Sequence, residues 1–344
     1  MYNLHEIAYD IPGYIHKIIT FPDLVCVCGV QEVLEELDRT LLLGSSDQLL
    51  SYDTTFQLGD FYVSPLLFRH TLFKENPCIP AMFLIHERKF ANTHKELFKQ
   101  CVQDIPAIRK AKYPLVIDRE QAMINAIEAK LPNLTLLYCW NHIFQDLRHW
   151  LRNHGASSAD ISTYLDDAFR MFHQPTEEEY TKRLECYRQT WDAQFEDYYM
   201  RTIHPQVPHH IGRWVLEKQG CYNPYSGVTN NQSEALNRVI KDLQDWKEAP
   251  VDSMVLALHQ LQAYYLNEIK RGLSGMGEYH LKAAYSSLAV NPHAIEYLPT
   301  HSPQEIVMQI RECGIKHDQT SEPSVRVKEE TEESRGMCGW YNFT

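Results

Sequence analysis

Long apolar runs are missing from this chain. No stretch of its 344 residues approaches the ~20 consecutive apolar positions that a membrane-spanning helix requires. The opening residues Met1-Tyr2-Asn3-Leu4-His5-Glu6 lack the charged-then-apolar layout of a secretory signal. A dense, even-numbered cysteine framework is missing as well. Nine cysteines are scattered along the chain and read as buried thiols of a reducing compartment. There is no positive balance either. The formal net charge is −12, which argues against a broad, non-specific nucleic-acid surface but leaves room for a local basic groove. These absences predict a soluble, intracellular protein with no membrane partner. No internal repeat is present.

What the chain does have is core material. Hydrophobic residues make up 44% of it and aromatics 11%, enough for one large or two modest domains. An N-terminal extension (1–44) is expected to pack on the core, with a short strand at Val25-Cys26-Val27-Cys28 and a helix around Gln31 to Leu37. Cys26 and Cys28 have the form of half a zinc site, but no matching His or Cys pair lies nearby, so packed strand thiols are preferred. Three strand-like runs follow, Leu49 to Leu58, Phe61 to Thr71 and Ala81 to Glu87. Gly59-Asp60 is a compact turn signal between the first two, and the short connections imply an antiparallel meander.

Thr93-His94-Lys95-Glu96 opens a helix to about Val102, with Thr93 and Glu96 spaced as a capping box. Pro114 to Ile117 reads as a strand, Arg119 to Leu131 as an amphipathic helix closed by Pro132. Thr135 to Cys139 is a further strand, running into an aromatic-rich helix from about Asn141 to Leu151. Hairpin strands followed by α/β alternation predict a mixed sheet with helices on its faces. The first part of this core spans 45–157.

An all-α insertion follows at 158–220. Ile161, Tyr164, Leu165, Ala168, Phe169 and Phe172 recur at helical spacing, and Pro175-Thr176-Glu177-Glu178-Glu179 is a strong helix start. The final part of the core (221–272) holds a loop at Cys221 to Gly227, a helix opened by Thr229-Asn230-Asn231, and a long helix from Val251 to Ile269. Residues 273–344 are expected to be weakly structured to disordered, with an acidic run at Glu329, Glu330, Glu332 and Glu333.

Three acids stand out against this layout. Asp53 lies among apolar and β-branched neighbours, where an ionised side chain is expensive unless it is paired, hydrogen-bonded or metal-bound. Asp118 closes a second strand, and Glu234 opens a helix beyond the insertion. Acids delivered to one point by separate elements suit phosphoryl transfer with two cations about 3.5–4 Å apart, which align the nucleophile and neutralise the entering and leaving oxygens. Asp53 would bridge, Asp118 would hold one ion and Glu234 the other. Bland readings stand beside each: a turn acid at Asp53, a helix N-cap at Asp118, and an early-turn acid complementing the helix dipole at Glu234.

Four motifs recur in a familiar order: Ser51-Tyr52-Asp53-Thr54-Thr55-Phe56, Pro114-Leu115-Val116-Ile117-Asp118-Arg119-Glu120, Cys139-Trp140-Asn141-His142, and Thr229-Asn230-Asn231-Gln232-Ser233-Glu234-Ala235-Leu236-Asn237. The segment from about Leu49 to about Leu243 resembles the ribonuclease-H-like catalytic core of Mutator-like element (MULE) transposases. That resemblance implies a βββαβαβ mixed sheet interrupted by the all-α insertion before the third acid. It implies that Asp53, Asp118 and Glu234 are the DDE triad and ligate two Mg2+ (or Mn2+) ions; no zinc site is expected, because no second Cys or His pair is evident. Such enzymes cut donor DNA with a metal-activated water and join the freed 3′-hydroxyl to target DNA. The partners implied are transposon ends and target DNA, with a homo-oligomer left open, and residence would be nuclear although Arg109-Lys110-Ala111-Lys112 is too short for a clear import signal.

Cys139 and His142 match the family's C-x-x-H signature. A packed Cys with His142 hydrogen-bonded near the DNA is preferred to a zinc ligand pair. Asn230 and Asn231 would orient Glu234 or cap its helix. Trp140 is a candidate for stacking on an unpaired base, with core packing the blander use. Arg148, Arg152, Arg183, Arg213 and Lys218 are candidates for phosphate contacts. The zinc-binding modules that flank the core in full-length relatives are not visible. The expectation is therefore a truncated or transposon-derived copy. The alternative is a domesticated, catalytically silent DNA- or protein-binding regulator.

Overall fold

A computed structural model describes residues 4–43, 48–54, 60–110, 112–243 and 250–299 of the chain. Helix α1 (Leu4–Asp10) leads into strands β1 (Ile15–Ile19) and β2 (Val25–Cys28), then helix α2 (Gln31–Leu43). Strand β3 (Leu50–Tyr52) begins a run with β4 (Tyr62–Arg69) and β5 (Cys78–His86). Helix α3 (Ala91–Asp104), strand β6 (Pro114–Ile117), helix α4 (Gln121–Lys130), strand β7 (Thr135–Tyr138) and helix α5 (Trp140–Asn153) follow in alternation. The helical region comprises α6 (Ser158–Phe172), α7 (Glu177–Tyr187), α8 (Ala193–Thr202) and α9 (Arg213–Lys218). Two last helices, α10 (Asn231–Leu243) and α11 (Val251–Leu273), return to the sheet.

All seven strands form one mixed sheet in the order β1-β2-β5-β4-β3-β6-β7. Pairings from β1 through β5 and β4 to β3 are antiparallel, and β3-β6 and β6-β7 are parallel. The expected α/β class and mixed sheet stand. The N-terminal stretch does more than pack on the core: β1 and β2 lengthen the sheet beyond β5. Cys26 and Cys28 are buried strand thiols there.

Strand β5 is buried from Ile79 to His86, as expected where helices cover both faces. Pro80 sits inside it and cannot donate to the ladder. The register with β4 slips beside it, between Leu66 and Leu67, which is where a proline is tolerated in a sheet. Gln262 of α11 meets the disturbed backbone. Its Nε2 donates to Pro80 O at 2.9 Å and Ala81 O at 2.8 Å, while its Oε1 accepts from Val30 N at 3.2 Å. One buried amide thus satisfies polar groups that the bulge and the β2-α2 junction would leave unpaired.

Some local expectations shift. The strand expected from Leu49 to Leu58 is regular only over Leu50–Tyr52, and residues 55–59, with Gly59 of the expected turn, lie outside the described residues. Thr93 and Glu96 do not cap α3. The helix starts at Ala91 behind Phe90, with no side-chain cap. Thr93 is buried on the core side, and Glu96 pairs with Lys17 of β1. Tertiary packing has overridden a local capping signal. Residues 300–344, which include most of the expected disordered tail, lie outside the described residues.

The helical region has no strand among its described residues. Three of its four helices start where a side chain caps them: Ser157 accepts from Asp160 N, Thr176 from Glu179 N and Asp192 from Gln194 N, while α9 starts behind Gly212. Stacked and edge-on rings of Tyr164, Trp191, Phe195 and Tyr199 hold it together. A π-turn at Val207–Ile211 brings it back to the sheet. There His210 Nδ1 donates to Leu136 O at 2.8 Å, covering the edge of β7. Among the described residues no helix is long and apolar enough to cross a membrane.

Candidate functional site

Register alone aligns the first two acids. In the parallel pair β3-β6, Ser51 stands opposite Val116, so two residues further on Asp53 comes level with Asp118. In β6-β7, Ile117 stands opposite Tyr138, which brings Cys139 level with Asp118 in turn. Cys139 N donates to Ile117 O at 3.0 Å, extending that ladder by one rung. Neighbouring strands lie about 4.8 Å apart. Asp53, Asp118 and Cys139 therefore form a row across the C-terminal ends of three parallel strands. Alternation along a strand puts Ser51 on the same face as Asp53.

Helix α10 lies over that face. Ser233 Oγ donates to Ser51 Oγ at 3.1 Å, Asn230 N donates to Cys139 Sγ at 3.2 Å, and Asn237 Nδ2 donates to Asp53 Oδ2 at 3.3 Å. Glu234 lies in the first turn of α10 and is exposed. Its approach is held by the preceding loop: Trp140 N donates to Val228 O at 2.9 Å. Gly227 makes this possible. It has φ +63° and lies so close to Trp140 that a Cβ there would meet the indole ring at 2.2 Å.

Electrostatics bind the acids into one site. Asp53 is only 5% exposed, and burial pushes its carboxyl up to about 6; the His142 charge pulls it down, Asp118 pushes it up, the Thr54 N–H pulls it down, and Glu234 pushes it up. Asp118 and Glu234 thus both act on the buried Asp53 carboxyl. His142 is pushed up to about 9, first by the Cys139 sulfur, against burial, and then by the negative charge of Asp53 and Asp118. No hydrogen bond of regular geometry reaches its Nδ1. The i, i+3 pair Cys139/His142 therefore sets a cation beside the acids. Asp118 Oδ1 accepts from Glu120 N at 2.9 Å, in a local turn rather than as the N-cap of α4, which is Glu120.

The donor chemistry of this end of the sheet suits a hard divalent cation, since the side chains converging there offer carboxylate and amide oxygens. Among the described residues, no three His, Cys, Asp or Glu side chains are gathered tightly enough to hold a metal as they stand.

The accessory and DNA-contact candidates separate. Asn230 is fully buried, with neither amide atom partnered, and its carbonyl accepts the first bond of α10 from Glu234 N at 3.0 Å. Asn231 Oδ1 accepts from Asn141 Nδ2 at 2.9 Å, clasping α10 to α5. Trp140 is a core residue. It is 1% exposed, donates Nε1–H to Ile211 O at 3.1 Å and packs edge-on against Phe172. Arg148 is half-buried and Arg152 exposed on α5, while Arg183 is exposed on α7. Arg183 meets the Tyr187 hydroxyl, and Arg213 is held by Glu217 and lies over the Tyr222 ring. Lys218 is exposed at the end of α9. These cations are spread over three helices, α5, α7 and α9.

Two residues of the site carried no separate sequence signal. Asn237 touches Asp53 directly, and its spacing of three from Glu234 on one helix was the available clue. Arg119, beside Asp118, is mostly buried, with Nη2 3.2 Å from Asp146 and its Nε and Nη1 unpartnered. Compared with protein-family models and with curated proteins, the chain matches none.

Proposed function

We propose that this chain is a MULE-like DDE transposase core on a ribonuclease-H-like scaffold, cutting DNA and joining strands with divalent metal ions. One observation carries the reading. The parallel register sets Asp53 level with Asp118 at adjacent strand ends, and Glu234 acts on the same buried carboxyl from α10. The five-strand part β5-β4-β3-β6-β7, its first three strands antiparallel and its last two parallel to β3, supports the ribonuclease-H-like mixed sheet that the resemblance implies.

In this mechanism Asp53, Asp118 and Glu234 would hold the divalent ions, with Asp53 as the central ligand. Two Mg2+ or Mn2+ ions would there activate the attacking water or 3′-hydroxyl and neutralise the leaving oxygen. Thr54 N, at 2.8 Å from Asp53 Oδ1, and Asn237 Nδ2 fix the orientation of the central carboxylate. His142 supplies positive charge on the same side, near where a phosphate would approach. The substrate would be DNA, and the place of action the nucleus.

The test is a nicking and strand-transfer assay with Mg2+ or Mn2+ on the wild-type chain and Asp53→Asn. Loss of about 10³-fold or more of cleavage in the variant is expected, as for removal of a group that stabilises the transition state. Equal behaviour of the two proteins removes the enzyme reading. DNA binding that survives equally in both would then leave a catalytically silent regulator.

A further inference from the structure

Asn237 lies one helical turn beyond Glu234 and therefore on the same side of α10. Its Nδ2 is 3.3 Å from Asp53 Oδ2. An ionised carboxylate only accepts, so the amide must present its NH2 end to Asp53, and this fixes where Oδ1 stands. That Oδ1 is buried and meets no donor. At the start of the same helix, Asn230 is fully buried with both amide atoms unpartnered, its backbone N on the Cys139 sulfur. Buried polar atoms without partners are rare in folded proteins, and each calls for a ligand, an ordered water or a functional use.

The surroundings decide what kind of ligand suits Asn237. A carbonyl oxygen beside Asp53, whose carboxyl in turn feels Asp118 and Glu234, has surroundings that repel anions and favour a cation. Amide oxygens are hard donors of the type that Mg2+ and Mn2+ take beside carboxylates. A neutral oxygen also adds a ligand without adding a fourth negative charge to a carboxyl that burial already disfavours. An imidazole or thiol at this position would select other metals.

We propose that Asn237 is a cation-binding residue of the acidic site, its amide nitrogen aiming Asp53 and its Oδ1 supplying a neutral oxygen to the divalent ion. The inference rests on the metal-dependent reading above and adds a ligand to it. If Asn237 served only to aim Asp53, an aspartate in its place would be damaging, because it loses the N–H donor and sets a like charge against Asp53. If Asn237 is a ligand, an aspartate restores the oxygen to the ion.

Calorimetric Mn2+ titrations of the full chain without DNA distinguish these roles, with circular dichroism melting to check the fold. Asn237→Ala is expected to raise the Mn2+ Kd tenfold or more with the fold intact, and Asn237→Asp to bind within about threefold of wild type or more tightly. Wild-type affinity in Asn237→Ala, or a loss in Asn237→Asp as large as that in Asn237→Ala, overturns the inference while the triad reading stands. Should Asn237→Ala not fold, Asn237→Asp against wild type decides alone, a tenfold loss overturning the ligand role. Wild-type protein that binds no Mn2+, or binds it equally with Asp53→Asn, removes the metal site itself and the inference with it.

Discussion

The two faces of β3 differ in how they treat buried polar atoms. Tyr52 and Thr54 point to one face, and a closed chain of hydrogen bonds meets them. Thr54 Oγ1 and Ser64 Oγ are 2.7 Å apart, Ser64 Oγ and His86 Nε2 2.9 Å, and His86 Nδ1 donates to Arg88 O at 2.9 Å. That last bond makes Nε2 the acceptor, so Ser64 donates to it and Thr54 donates to Ser64. Tyr52 Oη is 2.7 Å from His94 Nδ1 alongside. Ser51 and Asp53 point the other way, beneath α10. There His142 Nδ1, both side-chain atoms of Asn230 and Asn237 Oδ1 are buried without partners. On the Tyr52 face only His94 Nε2 is in that state among the atoms of this chain of bonds. One face spends its polar groups on holding the strand. The other ties α10 down with a few bonds and leaves these buried polar atoms unpartnered.

The largest effect that breaks this contrast is acid. Burial lowers both imidazoles of the closed face, His86 to about 4 and His94 to about 3, with neighbouring positive charge adding to the shift. The unfolded chain therefore binds more protons than the folded chain below about pH 6.5, the ordinary histidine value. Stability from these two groups is whole above that pH and is lost as pH falls toward 4. Each contributes a slope of about 1.4 kcal/mol per pH unit, so several kcal/mol are at stake by about pH 4.5. Urea unfolding at pH 7, 6, 5 and 4.5 measures the slope. His94→Gln is expected to reduce it by about one proton. An unchanged slope in that variant would mean that the imidazole is not held neutral by burial.

Next comes Gly227→Ala, which acts only on the α10 side. The new Cβ meets the Trp140 ring at 2.2 Å, at a backbone φ of +63°. Overpacking costs about 1–3 kcal/mol and the left-handed backbone about 1–2 more. A loss of about 2–5 kcal/mol in denaturant unfolding is expected, with a weakened seat for Glu234 because Val228 is anchored on Trp140 N. A Tm shift of less than a degree would mean that the loop has room to move and does not hold α10.

Much of this arrangement is readable in the sequence because it follows from period and order. A strand ending in Asp53, a meander, and then α/β alternation through a strand ending in Asp118 lead to a mixed sheet with acids at strand ends, and the resemblance implies that those ends are neighbours. Helices α6 and α7 are likewise announced by spacing and caps. Other parts depend on partners far along the chain. Thr93 has the local pattern of a cap and is buried instead. Nothing near Val25 states that β2 will pair with β5. Trp140 could stack on a base or pack in the core, with core packing the blander use, until Ile211 and Gly227 close around it. Asn237 is one polar residue among several on α10 until Asp53 is placed beneath it. These are facts of tertiary contact, which local pattern does not encode.

The smallest effects test the contrast most directly, because they compare a partnered with an unpartnered group. Ser64 is fully buried and links Thr54 to His86, so Ser64→Ala leaves His86 Nε2 without its donor. Such an orphaned acceptor costs about 1–3 kcal/mol. Asn230 is equally buried, but its amide makes no hydrogen bond to lose. Asn230→Ala gives up packing contacts and relieves two desolvated polar atoms, and the two terms offset. Its stability is expected to stay within about 1 kcal/mol of wild type. Urea midpoints for the two variants, measured side by side at pH 7, give the comparison. If Asn230→Ala costs as much as Ser64→Ala, the Asn230 amide is bonded in solution, and the face beneath α10 is as closed as the face beneath α3.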